Sequence, residues 1–280
     1  MEKAIKRYFP IFVLPTMIAF TLGFIIPFAE GVYLSFCKFT TVNDAKFIGL
    51  SNYAKVFKDS TFVHAFWYTA AFTVVSVILI NVLAFAVALL LTKGIKGTNV
   101  FRTVFFMPNL IGGIVLGYIW QLLLNGILMK FSRTLTYSST FGFWGLVILM
   151  CLQQIGYMMI IYIAGIQNIP GELIEAAEID GATKRQVLKS VTIPMVMPSI
   201  TVCTFLTLTN SFKLFDQNLA LTNGEPSKMS EMLALNIFNT FYGRAGYEGV
   251  GQAKAVIFFI LVAAIALTQN YLTRRKEVQQ

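Results

Sequence analysis

Six apolar runs, each long enough to cross a bilayer, leave this chain little freedom in how it folds. They fall near residues 9–34, 66–92, 103–125, 142–166, 197–219 and 253–273. A crossing needs about 20 mostly apolar residues, and its backbone N–H and C=O groups must be satisfied without water. Helices meet that condition segment by segment, so the expected fold class is an all-α membrane protein with six transmembrane helices. Of 280 residues 56% are hydrophobic and only 12% charged, against about 25% charged in a soluble domain. Residues 1–280 therefore read as a single transmembrane domain. The run from Tyr8 to Ala29 follows a basic start, as a signal peptide would. It is long enough to span and no small-x-small cleavage pattern follows it, so it reads as a retained first helix.

The formal net charge of +9 would point towards nucleic acid in a soluble chain. In a membrane chain, basic residues mark cytoplasmic loops and meet anionic lipid. With the N-terminus inside, twelve basic residues lie inside: Lys3, Lys6, Arg7, Lys93, Lys96, Arg102, Lys184, Arg185, Lys189, Arg274, Arg275 and Lys276. Eight lie outside: Lys38, Lys46, Lys55, Lys58, Lys130, Arg133, Lys228 and Arg244. The inner clusters hug the helix ends, and both termini read as cytoplasmic, with no nucleic-acid partner.

The most polar long segment, residues 168–194, then falls on the cytoplasmic side. It reads as two short helices around a corner. Pro170 suits a first helical turn, where its missing N–H costs nothing. Glu172, Glu175 and Glu178 complement the positive end of the first helix. Gly181 supplies a left-handed C-cap, and a second helix follows from about Ala182. Leu173, Ala176, Ala177, Val187 and Leu188 give the elbow an apolar side on which another surface can rest.

Glu175-Ala176-Ala177, then Gly181, then Val191-Thr192-Ile193-Pro194 resembles the signature loop of binding-protein-dependent ABC importer permeases. That pattern is Glu-Ala-Ala, three residues, Gly, nine residues, then Ile-x-Leu-Pro; Val191 and Ile193 are conservative departures. Gly49-Leu50-Ser51-Asn52-Tyr53, the run Phe101–Asn109 with Trp120, Gln121 and Asn125, and Phe215–Asn218 with Leu221–Pro226 are similar to the sugar-importer branch. The likeness is to members related to the maltose transporter's larger subunit, without its extra N-terminal helices and its large outer insertion. It implies the type I ABC importer permease fold, in the bacterial cytoplasmic (inner) membrane. It implies ATPase coupling through Glu172, Glu175, Ala176, Ala177, Asp180, Gly181 and Ala182. It also implies a second homologous permease, two ATP-binding subunits holding ATP and Mg, and an extracellular solute-binding protein. Transport of a carbohydrate, an oligosaccharide in particular, by alternating access would follow. A glycerol-phosphate-type solute is the neighbouring alternative.

The residues themselves support no catalysis. The dipeptide Gly-Lys never occurs, so there is no Walker A loop, and HExxH and GxSxG are absent too. Cys37, Cys151, Cys203 and the lone His64 form no metal or disulfide pattern. No cofactor is expected in this chain. An ion-coupled secondary transporter would need membrane carboxylates, and Glu30 and Asp216 both lie towards outer helix ends. The remaining site evidence is polar groups at membrane depth. Gln153, Gln154, Gly156 and Tyr157 fall on neighbouring turns of the fourth run. Thr207, Thr209, Asn210, Ser211, Lys213, Asp216 and Gln217 crowd the fifth. Any one of them can be interhelical glue. The set Asn210–Gln217 reads as a substrate pathway, with Lys213 and Asp216 expected to form an i,i+3 ion pair. The polar residues concentrate on the third to fifth runs, which points to a wet lining there.

Overall fold

The computed structural model describes residues 2–274, so Met1 and residues 275–280, with Arg275 and Lys276 of the inner basic cluster, lie outside the described residues. The helices are α1 (Glu2–Phe20), α2 (Ile26–Leu34), α3 (Ser51–Lys58), α4 (Ser60–Leu91), α5 (Thr98–Phe106), α6 (Gly113–Leu128) and α7 (Ser139–Gln167). They continue with α8 (Gly171–Ile179), α9 (Lys184–Val187), α10 (Ile193–Met195), α11 (Met197–Phe212), α12 (Asp216–Leu221), α13 (Leu233–Gly243) and α14 (Glu248–Arg274). A two-residue antiparallel pair, β1 (Cys37–Lys38) with β2 (Lys46–Phe47), sets Cys37 opposite Phe47. Among the described residues five helical stretches are long and apolar enough to cross a bilayer: Ile11–Leu34, Ser60–Leu91, Gly113–Phe131, Ser139–Gln167 and Glu248–Gln269. Lys184–Met195 with Met197–Phe212 qualifies as a sixth, bent by 68°.

Two runs differ from the sequence reading, each for a local reason. The third, read as 103–125, is broken: α5 ends at Phe106, and the spanning helix restarts at Gly113. Pro108 lacks an N–H and clashes with the preceding turn, and Ile111 and Gly112 leave helical geometry (ψ 131° and 140°). The fifth, read as 197–219, stops at Phe212. The chain then turns through Lys213–Phe215 and re-enters a short helix at Asp216.

The chain packs as two units. In the first, Met1–Ser60 with Ile237–Ile260, buried Asn52 donates to the carbonyls of Ser35 (2.9 Å) and Cys37 (2.8 Å). Tyr53 Oη lies 2.7 Å from Ser35 Oγ. The Gly-Leu-Ser-Asn-Tyr segment is thus a clamp that satisfies the backbone where α2 ends. Lys254 is fully buried and pairs with Asp59 at 2.8 Å, its Nζ also donating to Thr240 Oγ1 at 2.7 Å. A buried ammonium is tolerated only with such partners.

In the second unit, Thr61–Asn236 with Leu261–Gln280, the apolar core gathers around α7. Its wholly buried members include Phe72, Ile80, Leu146, Leu149, Met158 and Met159. Tyr162 Oη donates to Asn81 Oδ1 at 2.7 Å, and Asn81 reaches Thr207 Oγ1 at 3.4 Å. That chain of polar groups ties α4, α7 and α11 together, the interhelical role expected of amides and hydroxyls away from water.

Replacing Lys254 by Met removes the cation of the buried pair and its bond to Thr240. The expected cost is about 3–5 kcal/mol, read as a lowered Tm in detergent.

Candidate functional site

The broken third span sets the geometry of the site. The break takes the Ile111 carbonyl out of the helical ladder, and an acceptor left unpartnered away from water costs kilocalories. Gln153, on α7, donates its Nε2 to that carbonyl at 3.3 Å. Asn109 Nδ2 returns a bond to the Gln153 carbonyl at 3.3 Å, and Gln217 Nε2 donates to Gln153 Oε1 at 2.6 Å. One amide therefore holds the break and the start of α12 against α7. Beyond it, α6 presents Gly113 and Gly117 to α12. A Cβ at Gly113 would stand 2.8 Å from Asp216 Cβ, and one at Gly117 would stand 2.6 Å from Ala220 Cβ. Small residues four apart admit this closeness, and Gln121 fastens it by donating to the Leu221 carbonyl at 3.1 Å.

The result is a cavity of about 280 Å³ lined by Met150, Gln154, Asn210, Lys213, Leu214, Phe215, Asp216 and Gln217. Asn210 Nδ2 donates to Gln154 Oε1 at 3.4 Å, joining two walls. Five of the residues singled out from sequence meet here: Gln154, Asn210, Lys213, Asp216 and Gln217. Gln153 stands behind them as the support for Gln217. Met150, Leu214 and Phe215 were not anticipated, because apolar residues in an apolar run give no signal of their own.

The other candidates lie elsewhere. Gly156 is a packing glycine: a Cβ there would overlap the Phe105 carbonyl. Tyr157 packs its ring against Phe106, 6.5 Å between centroids. Thr207, Thr209 and Ser211 spend their hydroxyls on the carbonyls of Cys203 (2.7 Å), Phe205 (2.9 Å) and Thr207 (2.8 Å) one turn back. Such back-bonding satisfies a hydroxyl within its own helix. Lys213 and Asp216 form no ion pair. The helix ends between them, so the i,i+3 spacing that would bring them together is lost.

The elbow is built as two capped helices. Pro170 precedes α8 as its cap, one place earlier than a first-turn position. At the other end Gly181 has φ +80°, its N–H bonds the Glu178 carbonyl and the Ala182 N–H bonds the Ala177 carbonyl, each at 3.0 Å. That pair of bonds is the Schellman closure, and its left-handed residue favours glycine. The second helix begins at Lys184, later than the expected Ala182, because Thr183 and Gln186 form a capping box (Thr183 N to Gln186 Oε1, 2.8 Å). A wider π turn over Leu188–Thr192 then leads towards α11. Glu172, Glu175, Ala176, Asp180 and Gly181 are exposed, and Ala177 and Ala182 partly so. Ile179 is 86% exposed and Leu173 43%.

Residues 84–278 match the family described as "Binding-protein-dependent transport system inner membrane component". The chain belongs to that family. It is a multi-pass permease subunit of an ABC importer, a transport protein and not an enzyme. It is 43% identical to the "Probable starch degradation products transport system permease protein AmyD" of Thermoanaerobacterium thermosulfurigenes, over 96% of this chain and 94% of that one. It is 28% identical to the trehalose/maltose transport system permease protein MalF of Thermococcus litoralis, over 91% and 90% of the two chains. The fold matches a chain in the crystal structure of a bacterial ABC transporter that imports the acidic polysaccharide alginate. There the TM-score is 0.81 at 20% identity, with 98% of each chain covered. The type I ABC importer permease architecture is thereby established.

If Gly156 serves packing, Gly156→Ala should cost about 1–3 kcal/mol through overpacking. Tm in detergent should fall, while substrate affinity of whatever assembles stays unchanged.

Proposed function

We propose that this permease carries a carbohydrate, an oligosaccharide in particular, and forms half of the translocation pathway, with a second homologous permease supplying the other half. The observation that carries the reading is the cavity between α7, α11 and α12. Its amides at Gln154, Asn210 and Gln217 donate and accept without imposing charge, and Phe215, Leu214 and Met150 offer apolar surface. That mixture suits the polar rim and apolar faces of sugar rings. At about 280 Å³ the cavity lies at the small end of ligand pockets, roughly 300–1,000 Å³, as half a site would. The relatives named for starch degradation products and for trehalose and maltose support the same substrate class.

The elbow of residues 168–194 is the coupling element. Glu172, Glu175, Ala176, Ala177, Asp180, Gly181 and Ala182 rest on one of two cytoplasmic ATP-binding subunits, which hold ATP and Mg. The exposed Ile179 and Leu173 give that contact its apolar part. Both termini lie in the cytoplasm, which puts the elbow on the same side as the ATPase. An extracellular solute-binding protein delivers the sugar from the opposite side. Closure of the ATPase dimer moves the elbow and turns the bundle from inward- to outward-facing. Driving such a switch nearly to completion takes about 5.5 kcal/mol of differential binding, which nucleotide and partners supply.

Two measurements on the reconstituted transporter check this reading. Gly181→Pro cannot adopt a φ of +80°, so ATP-driven uptake of a labelled malto-oligosaccharide should fall to background while membrane insertion persists. Uptake at the normal rate would remove the elbow from the coupling path. Asn210→Leu should lower uptake about tenfold, the worth of one lost hydrogen bond, with ATPase assembly intact.

A further inference from the structure

Lys213 and Asp216 line the cavity together, yet among the described residues neither side chain takes a hydrogen bond or an ion pair. Both are exposed to it. Within a membrane protein an unpaired charge is expensive, and these two would shed that cost by pairing with each other. In the structure they do not pair. α11 stops at Phe212, α12 starts at Asp216, and the Asp216 Cβ is held close to Gly113 on α6. Gln217, the next residue, is anchored to Gln153 at 2.6 Å. The aspartate is thus fixed on one wall, and the lysine sits in the turn before it.

We infer that Lys213 and Asp216 are a separated, charge-balanced pair of hydroxyl ligands that makes the cavity selective for uncharged oligosaccharides over uronate- or phosphate-bearing ones. The inference rests on the reading of this cavity as the substrate pathway. Lys213 donates to ring and glycosidic oxygens, and Asp216 accepts from hydroxyls. A neutral sugar spanning both gains two charge-assisted hydrogen bonds, stronger than those between neutral groups. An anionic sugar gains at Lys213 and loses at Asp216, and at reduced effective dielectric neither effect is screened away. The amides beside them, Gln154, Asn210 and Gln217, carry no charge to offset the balance.

The test uses the purified assembly of both permeases and the ATPase in lipid nanodiscs, without the binding protein, so that only the membrane site selects. Equilibrium binding is measured for labelled maltotriose and for its counterpart with a glucuronate at one end. Asp216→Asn should shift the affinity ratio about tenfold towards the anionic trisaccharide, and Lys213→Gln about tenfold away from it. The double variant should return the ratio to within about threefold of the starting protein, although absolute affinity for both ligands falls. A merely structural role for either residue would not reverse in sign between the single variants and cancel in the double. A ratio that neither single variant moves, or that both move in one direction, overturns the charge-balance inference and leaves the pathway reading in place. Maltotriose binding that is absent, or indifferent to Asn210→Leu, overturns the pathway reading and this inference with it.

Discussion

A break in an apolar helical run frees backbone carbonyls that need another donor, and much of the candidate site depends on how one such carbonyl is satisfied. The Ile111 carbonyl leaves the helical ladder where Ile111 and Gly112 turn extended, and Gln153 closes it while receiving Gln217. That single amide couples the break in the third span to the start of α12, and α12 carries Asp216 and Gln217 into the cavity. Irregular backbone at membrane depth is tolerated where protein covers it or where it lines a cavity. Here both conditions hold within a few residues of each other.

The glycine spacing adds a second constraint. Gly113 and Gly117 face α12 so closely that a methyl group at either would meet Asp216 or Ala220. Close approach of this kind buries backbone against side chain without an apolar driving force, since lipid is as oily as leucine. It also fixes the direction of α12, whose first residue is the acidic group of the site. Packing and chemistry are therefore not separable here. The same holds at the elbow, where Gly181 turns the chain with φ +80° and leaves the neighbouring acidic and alanine residues exposed.

The polar residues of α11 divide cleanly by what their side chains can reach. Thr207, Thr209 and Ser211 have short hydroxyls, which donate back onto their own helix, Thr207 also accepting from Asn81. Asn210 is longer and crosses to Gln154. Sequence counts all four alike as polar groups in an apolar run, and only their reach separates glue from lining. Gly156 shows the opposite case: it sat among promising neighbours, but its role is to let α7 touch the backbone at Phe105.

Read alone, the chain determined that it spans a membrane, because runs of this length and apolarity leave more apolar side chain than a chain with so few charged residues could keep out of lipid. It also located the elbow, since a proline, a run of glutamates and a glycine at the C-cap act through local geometry that needs no tertiary contact. The spans near 9–34 and 142–166 were legible for the same reason. Tertiary structure alone decided where the third and fifth runs break and what repairs them. It also decided which amides meet, because the partner of Gln153 stands 64 residues away at Gln217. The buried Lys254 is the sharpest instance. Its sequence neighbours give no hint of a partner, and Asp59, 195 residues distant, makes its burial possible. Periodicity and composition report what a segment can do by itself, whereas pairing across such separations depends on the packed fold.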